Sequence, residues 1–455
     1  MRRGGTTDVE LVEDNLADPA RVVRTPVRWG RIARRWWPVP VVAVAALVLA
    51  DLGTGSAEEQ RYAADADLPG VVDPIGPDVT STPVDAEELF DGAGQDLDGL
   101  RVTAEWAGSE RTMRLLGRST RDGEVRWRTD LPFADLGDGR EAAVTCWTED
   151  RLTCWAGAQD WAVASTVTTG SGLVELDPAT GAITLQQELA EHTVVAGDAD
   201  LRVQVTGEDS PMVVTATGSD GAIRWQTSVE TVRDGLTGFD RVTIRLSDGV
   251  VLVTSPGGAW ALSRVDGRQR GTGVDAWLSR DGRVVLLRDG RLWLVDPERG
   301  SIELGAGEPL TVTVDDGTAA QVIPAVSGSG TVTGYDATTG EVRWTSDQPG
   351  WRPGTALVVH GLLIGATADA VVALDPGSGR ERWRAPLRAN GDSELLTDGR
   401  QLLVLSGDST QRLVGLDLRT GSELWSQDLP DGGGMLFGNG GEVYRRTASG
   451  IATLS

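Results

Sequence analysis

The chain has 455 residues and a formal net charge of −25 at pH 7, and all 42 of its basic residues are Arg. That balance disfavours nucleic acid and bare anionic membrane as partners. The absence of Lys removes Schiff-base and phosphate-loop lysine chemistry and, with the richness in Ala, Gly and Val, points to a GC-rich genome.

Residues 1–35 form a polar tail with 8 Arg and 5 acids, ending in an acid-free cluster of Arg21, Arg24, Arg28, Arg31, Arg34 and Arg35. Residues 36–50 are fifteen uncharged, mostly apolar positions, shorter than the about 20 usual for a span. Continuing past Asp51 through residues 52–57 supplies the length. The Arg cluster predicts a cytoplasmic N-terminus, and Trp36 and Trp37 suit the headgroup level. These features read as an uncleaved transmembrane signal-anchor over 36–53, with everything beyond it extracytoplasmic. A secretory signal cleaved near Ala57 is the competing reading, for which a 35-residue tail is long. Residues 54–98 hold 12 acids against Arg61 alone, together with Pro69, Pro74, Pro77 and Pro83. Such a segment buries too little apolar surface to offset its ordering entropy, so an extended acidic tether is expected.

From residue 99 to 455 one eleven-residue phrase returns about every forty residues. Residues 373–383 read ALDPGSGRERW, 334–344 read GYDATTGEVRW and 415–425 read GLDLRTGSELW. Its seventh position is Gly at Gly123, Gly181, Gly221, Gly267, Gly300, Gly340, Gly379 and Gly421. Its eleventh is Trp at Trp127, Trp225, Trp344, Trp383 and Trp425, but Leu185, Gly271 and Leu304 in the other three copies. Each phrase reads as a β-hairpin. The acid at position three closes an Asx-type turn, Gly supplies a positive φ, and the returning strand carries Trp back against the sheet. Two further strands precede most copies, so the unit has about four. Units of that kind, repeated eight times, close as an all-β propeller with few free edges. The last stretch, 435–455, holds only three strands. An N-terminal strand must complete the final blade, with residues 125–129 as the expected donor for eight blades. A donor before Gly99 would instead give nine.

Cys146 and Cys154 sit on two alternating strands around the three residues 149–151, a usual hairpin loop. In an exported chain they read as a cross-strand disulfide contributing about 2–3 kcal/mol.

The phrase resembles the tryptophan-docking repeat of pyrroloquinoline-quinone-type propellers, A-x-D-x-x-T-G-x-x-x-W, across roughly residues 99–455. The resemblance implies that Trp127, Trp225, Trp344, Trp383 and Trp425 dock each blade on the next rather than touch a ligand. That family holds quinone-dependent alcohol and sugar dehydrogenases. It also holds non-enzymatic scaffolds, among them a lipoprotein that assists outer-membrane barrel assembly. Its dehydrogenases carry a disulfide between adjacent Cys residues beside the cofactor, and this chain has no adjacent pair.

Catalytic and metal signals are sparse. His192 and His360 stand apart from Cys and from each other, where zinc recruits several N or S ligands. No G-x-S-x-G elbow occurs. The run Asp96-Leu97-Asp98-Gly99 lacks the ligand spacing of a calcium loop, and Gly328-Ser329-Gly330 lies between strand patterns as a turn. The Trp residues outside the phrase, such as Trp147, Trp155, Trp260 and Trp351, read as core, with a recognition face as the alternative. The sequence therefore indicates a membrane-tethered, extracytoplasmic propeller that binds a protein or cell-envelope polymer. No catalytic residue, metal or cofactor is assigned, and a quinone-dependent oxidoreductase is the alternative.

Overall fold

Strand after strand in this chain carries alternating or continuous apolar residues between Asp/Gly turns, and a computed structural model shows what that pattern builds. It describes Tyr62, Asp65, Ala66 and residues 68–455, except 85–94, 98, 108–111, 120–123, 132–140, 149–150, 160–170, 191, 208–210, 231–241, 280–281, 348–349, 353–354, 391–392, 408–410, 430–433 and 440. The expected tail and signal-anchor, residues 1–35 and 36–53, lie outside these. Among the described residues no helix is long and apolar enough to cross a membrane.

Nine antiparallel sheets follow one another among the described residues, each a blade of a propeller. Blade 1 runs from Gln95–Leu97 to Val125–Asp130, blade 2 from Glu141–Thr148 to Ile183–Glu188, and blade 3 from Thr193–Gly197 to Ile223–Val229. Blade 4 runs from Thr243–Leu246 to Gln269–Gly273, blade 5 from Asp275–Leu278 to Gly300–Ala306, and blade 6 from Glu308–Pro309 to Val342–Thr345. Blade 7 runs from Thr355–Val359 to Glu381–Ala385 and takes Thr311–Asp315 as an added parallel edge strand. Blade 8 runs from Leu396–Thr397 to Glu423–Asp428. Blade 9 comprises Gly434–Asn439, Glu442–Thr447 and Gly450–Leu454, completed by Ser81–Val84.

The core lies between blades, which is why many strands are apolar on both faces. In the strand Gln401–Ser406, Leu402 and Val404 pack towards blade 7 while Leu403 and Leu405 pack towards blade 9. Such a strand reads as a run rather than an alternation because a sheet sandwiched between neighbours has no wet face. The outermost strands do have one, and Ile183–Glu188 is exposed along its whole length.

Two expectations are corrected here. The ring has nine blades, not eight, and the closing strand is Ser81–Val84 rather than residues 125–129. Ser81 pairs with Leu454 and Val84 with Ile451, whereas Val125–Asp130 completes blade 1 against Thr112–Ser119. Counting phrases undercounts blades because each phrase is the hairpin joining third and fourth strands. In blade 9 the fourth strand arrives from the other end of the chain, so no such hairpin exists.

The second correction concerns the tether. Residues 68–84 do not hang free of the propeller. Val71, Val72, Ile75 and Val79 are buried in the clusters of blades 7, 8 and 9. The Val72 N–H donates to the Thr397 carbonyl (2.9 Å) and the Asp73 N–H to Gly441 (2.5 Å). Composition averaged over 54–98 hid four aliphatic residues that the surrounding Asp and Pro outnumber.

The hairpin of blade 2 holds the Cys146–Cys154 disulfide in direct cross-strand register, with both residues buried. If residues 68–80 are part of the fold, Ile75→Ala should destabilise the whole domain by about 2–4 kcal/mol, as for a core aliphatic. Denaturant unfolding measures this, and a change near zero would return the segment to a loose tether.

Candidate functional site

Each phrase residue singled out by the repeat has a structural task. In blade 1 the indole of Trp127 lies between two glycines. It covers Gly117 of its own blade, where a Cβ would come within 2.1 Å of the ring, and Gly181 in the turn of blade 2, where one would come within 2.6 Å. Gly181 also has φ 69°, a region that side chains with Cβ resist. The Trp127 Nε1–H donates to the Pro178 carbonyl (3.0 Å), and Thr129 Oγ1–H to the Gly181 carbonyl (2.6 Å). Trp225, Trp344 and Trp383 repeat the arrangement, donating to Arg264, Pro376 and Leu418 in the next blade at 2.9, 2.7 and 2.9 Å.

Trp425 departs from it, because blade 9 has no phrase turn to receive it. Its Nε1–H donates to Gln401 Oε1 in its own blade (2.7 Å), and Gln401 Nε2 in turn donates to the Ile75 carbonyl (2.6 Å). Gln427, two residues on, holds both backbone groups of Val79 through its amide, at 2.6 and 3.0 Å. The N-terminal segment thus occupies the place of the missing turn.

The three copies without Trp differ among themselves. Leu304 of blade 5 is buried against blade 6. Arg270, beside Gly271 of blade 4, reaches the Glu298 carbonyl of blade 5 at 3.4 Å. Leu185 of blade 2 is 47% exposed, and Gly221 in the turn of blade 3 faces open space.

The phrase carboxylates are likewise committed to turns. Asp336 Oδ1 accepts the N–H groups of Thr339 (2.8 Å) and Thr338 (2.9 Å), which hold its pKa down at about 2. Asp177 is lowered in the same way by the N–H groups of Thr180 and Ala179.

His360 sits in the turn after Thr355–Val359 with φ 55°. Its N–H donates to Asp316 Oδ2 (2.6 Å), and its Nε2 lies 2.7 Å from Asp65 Oδ2. The two side chains are 5% and 11% exposed, and the Tyr62 ring lies 5.8 Å from the imidazole. The pair clasps the N-terminal segment to blade 7 and is too enclosed to meet a substrate. Sequence reasoning missed Asp65, Gln401 and Gln427. The available signal was apolar spacing at residues 71, 72, 75 and 79, which a composition count conceals.

His192 occupies a left-handed turn entering blade 3 and is buried. Trp147, Trp155, Trp260 and Trp351 are buried in the seams, Trp155 donating to the Thr193 carbonyl (3.1 Å) and Trp260 to Glu230 (2.9 Å). Among the described residues no group of three or more His, Cys, Asp or Glu is placed to hold a metal ion.

Residues 328–450, from blade 6 into blade 9, match the family model described as outer membrane protein assembly factor BamB. The repeat is of the pyrroloquinoline-quinone propeller type. No curated protein matches the sequence. Among solved structures the chain is similar to BamB from Moraxella catarrhalis, at 17% identity over 82% of this chain and 98% of that one, with a TM-score of 0.40. It is similar to quinohemoprotein alcohol dehydrogenase from Comamonas testosteroni at 12% identity over 86% and 79%, with a TM-score of 0.38. The computationally designed Ika8 protein matches at 13% identity over 85% and 99%, with a TM-score of 0.37.

Trp383→Ala should cost about 3–5 kcal/mol, as for other buried aromatics, while Leu185→Ala should change stability by less than about 0.5 kcal/mol. Equal losses in denaturant melts would sink the docking assignment. A second expectation concerns acid. Carboxylates whose folded pKa lies below the unfolded value stabilise the fold above that value and lose the effect as pH falls through the folded one. For Asp336 the window runs from about pH 4 down to about 2. The Asp336→Asn variant should therefore melt below the natural protein at pH 6 and approach it at pH 2. Parallel melting curves across that window would contradict the turn's contribution.

Proposed function

We propose that this chain is a non-catalytic binding scaffold, exported and held at the cell membrane by residues 36–53, whose propeller engages a protein or cell-envelope polymer. The match of residues 328–450 to the outer-membrane assembly-factor model carries this reading. The local chemistry supports it. The recurring polar atoms of the phrase are spent on turns and seams, and the His360–Asp65 pair is largely buried. The buried disulfide suits an oxidising compartment.

The quinone-dependent alternative makes a different demand on the protein. The full chain mixed with pyrroloquinoline quinone and calcium should take up no chromophore and reduce no dye in the presence of alcohols or sugars. It should, after crosslinking in envelope extract, recover a defined partner in the membrane fraction. Stoichiometric quinone uptake with dye reduction would overturn the scaffold reading.

A further inference from the structure

The outer strand of blade 2, Ile183–Glu188, is unlike the other eight. Its sequence, ITLQQE, carries no charge before Glu188 and no proline, and all six residues are exposed. The other outer strands bear guards against edge pairing. Arg occurs in Val125–Asp130, Ile223–Val229, Gln269–Gly273, Val342–Thr345 and Glu381–Ala385. Glu423–Asp428 begins and ends on acids, Ser81–Val84 carries Pro83, and Gly300–Ala306 carries one acid as blade 2 does, but at its middle (Glu303) rather than at its end.

Among the described residues the seam beside this strand is also open at its rim. In the docking turns the Gly N–H bonds the carbonyl four residues back, as Gly181 does with Asp177 and Gly421 with Asp417, leaving the next carbonyl for an indole. Blade 3 has a turn one residue shorter. There Gly221 bonds Gly218, and Trp225 pairs with Ala216. No indole can dock on it, and blade 2 has Leu185 where Trp would be. Leu185, in the Trp position, is consequently 47% exposed, where the docked Trp225 and Trp344 are 7% exposed; Ile183 on the same face is 36% exposed, less than its equivalents Ile223 and Val342.

Charge follows the same pattern. Arg343 pairs with Asp336 at 2.9 Å and Arg382 with Asp375, each Arg just before its Trp. In blade 2 that position is Thr184, whose hydroxyl donates instead to the Glu175 carbonyl. Among the described residues no cation pairs with Asp177 or with Glu188, at the two ends of the strand.

We propose that Ile183–Glu188 is a docking edge for an extended segment of a partner protein, which adds a fifth strand to blade 2. An open sheet edge, hydrated when free, offers a row of backbone groups that another extended backbone can pair in register. The partner segment alternates apolar residues that cover Ile183 and Leu185, and it carries Arg or Lys at each end to meet Asp177 and Glu188. This identifies the contact surface within the scaffold reading and rests on it.

The test uses the full chain and a synthetic ten-residue peptide of alternating Val and Thr with Arg at both ends. A control peptide has two central residues replaced by Pro. Hydrogen exchange should show the amides of 183–188 protected by the first peptide and not by the control. The double variant Ile183→Lys/Leu185→Lys, at exposed positions and with melting temperature as a fold check, should weaken binding about tenfold or more. Absence of protection at 183–188 with millimolar peptide, equal protection by the proline control, or undiminished binding by the double variant would each overturn the proposal. So would protection of 183–188 by self-association without peptide, which would assign the edge to a second copy. A native partner captured equally by the double variant would reject this edge while leaving the scaffold reading intact.

Discussion

The rest of the architecture depends on an indole seated on a glycine turn of the neighbouring blade. Three conditions must hold together for that contact. The residue opposite the Trp must be small, and it is Gly117, Ala216, Gly334 or Ala373 in the four docked blades. The receiving turn must leave a carbonyl unpaired, which it does by bonding its Gly N–H four residues back. An acid or hydroxyl must then hold the turn's remaining N–H groups, as Asp177, Asp375 and Ser263 do. The conditions lie on two different blades, so each phrase is half of two contacts. At two seams the Trp and the receptive turn are absent together, whereas blade 6 keeps the turn opposite Leu304 and blade 8 keeps Trp425 with no turn to receive it. Blade 2 lacks the Trp where blade 3 lacks the receptive turn, and blade 4 has Gly271 where blade 5 makes a tight hairpin at Asp296–Gly300.

This logic leaves the end of the chain with an unmet requirement. Trp425 faces a blade that cannot supply a turn, and three strands face a missing fourth. Residues 71–84 answer both through backbone groups, lending the Ile75 carbonyl to Gln401, both polar groups of Val79 to Gln427, and Ser81–Val84 to the sheet. A ring closed this way joins Ser81–Val84 to the strand Gly450–Leu454 at the far end of the sequence. Asp65 extends the junction back to His360 on blade 7. The N-terminal segment is thus tied across three successive blades.

The repeat made the propeller and four of the five docking residues legible, Trp425 excepted, because both consist of local pattern, a hairpin and its capping acid, Gly and Trp. The register of Cys146 with Cys154 was legible for the same reason, since a three-residue loop fixes which positions face each other. What could not be read was non-local. Nothing in the hairpin grammar marks a blade whose fourth strand comes from some 370 residues away, so nine blades looked like eight. Nothing in an acid-rich composition reveals that Val71, Val72, Ile75 and Val79 have partners waiting. Residues 125–129 had the strand pattern required of a closing strand, but Gln95–Leu97 supplies blade 1 with a first strand of its own.

Degenerate copies of the phrase are as informative as faithful ones once their neighbours are considered. Leu304 is buried and simply substitutes one apolar side chain for another at the blade 5 rim. Arg270 replaces stacking by a hydrogen bond across the seam. Leu185 does neither, and the loss is not compensated by blade 3 at the rim, although Trp147 and Trp155 fill the same seam further in. A seam that is sound inside and open outside has no stability reason to keep Ile183 and Leu185 apolar, because an exposed strand tolerates polar residues at no cost. Ile223 and Val342 are more exposed than Ile183 beside docked Trp residues, so what sets blade 2 apart is the pairing of an uncovered Leu185 with a backbone edge that carries no charge before Glu188, and the proposed partner strand would cover both.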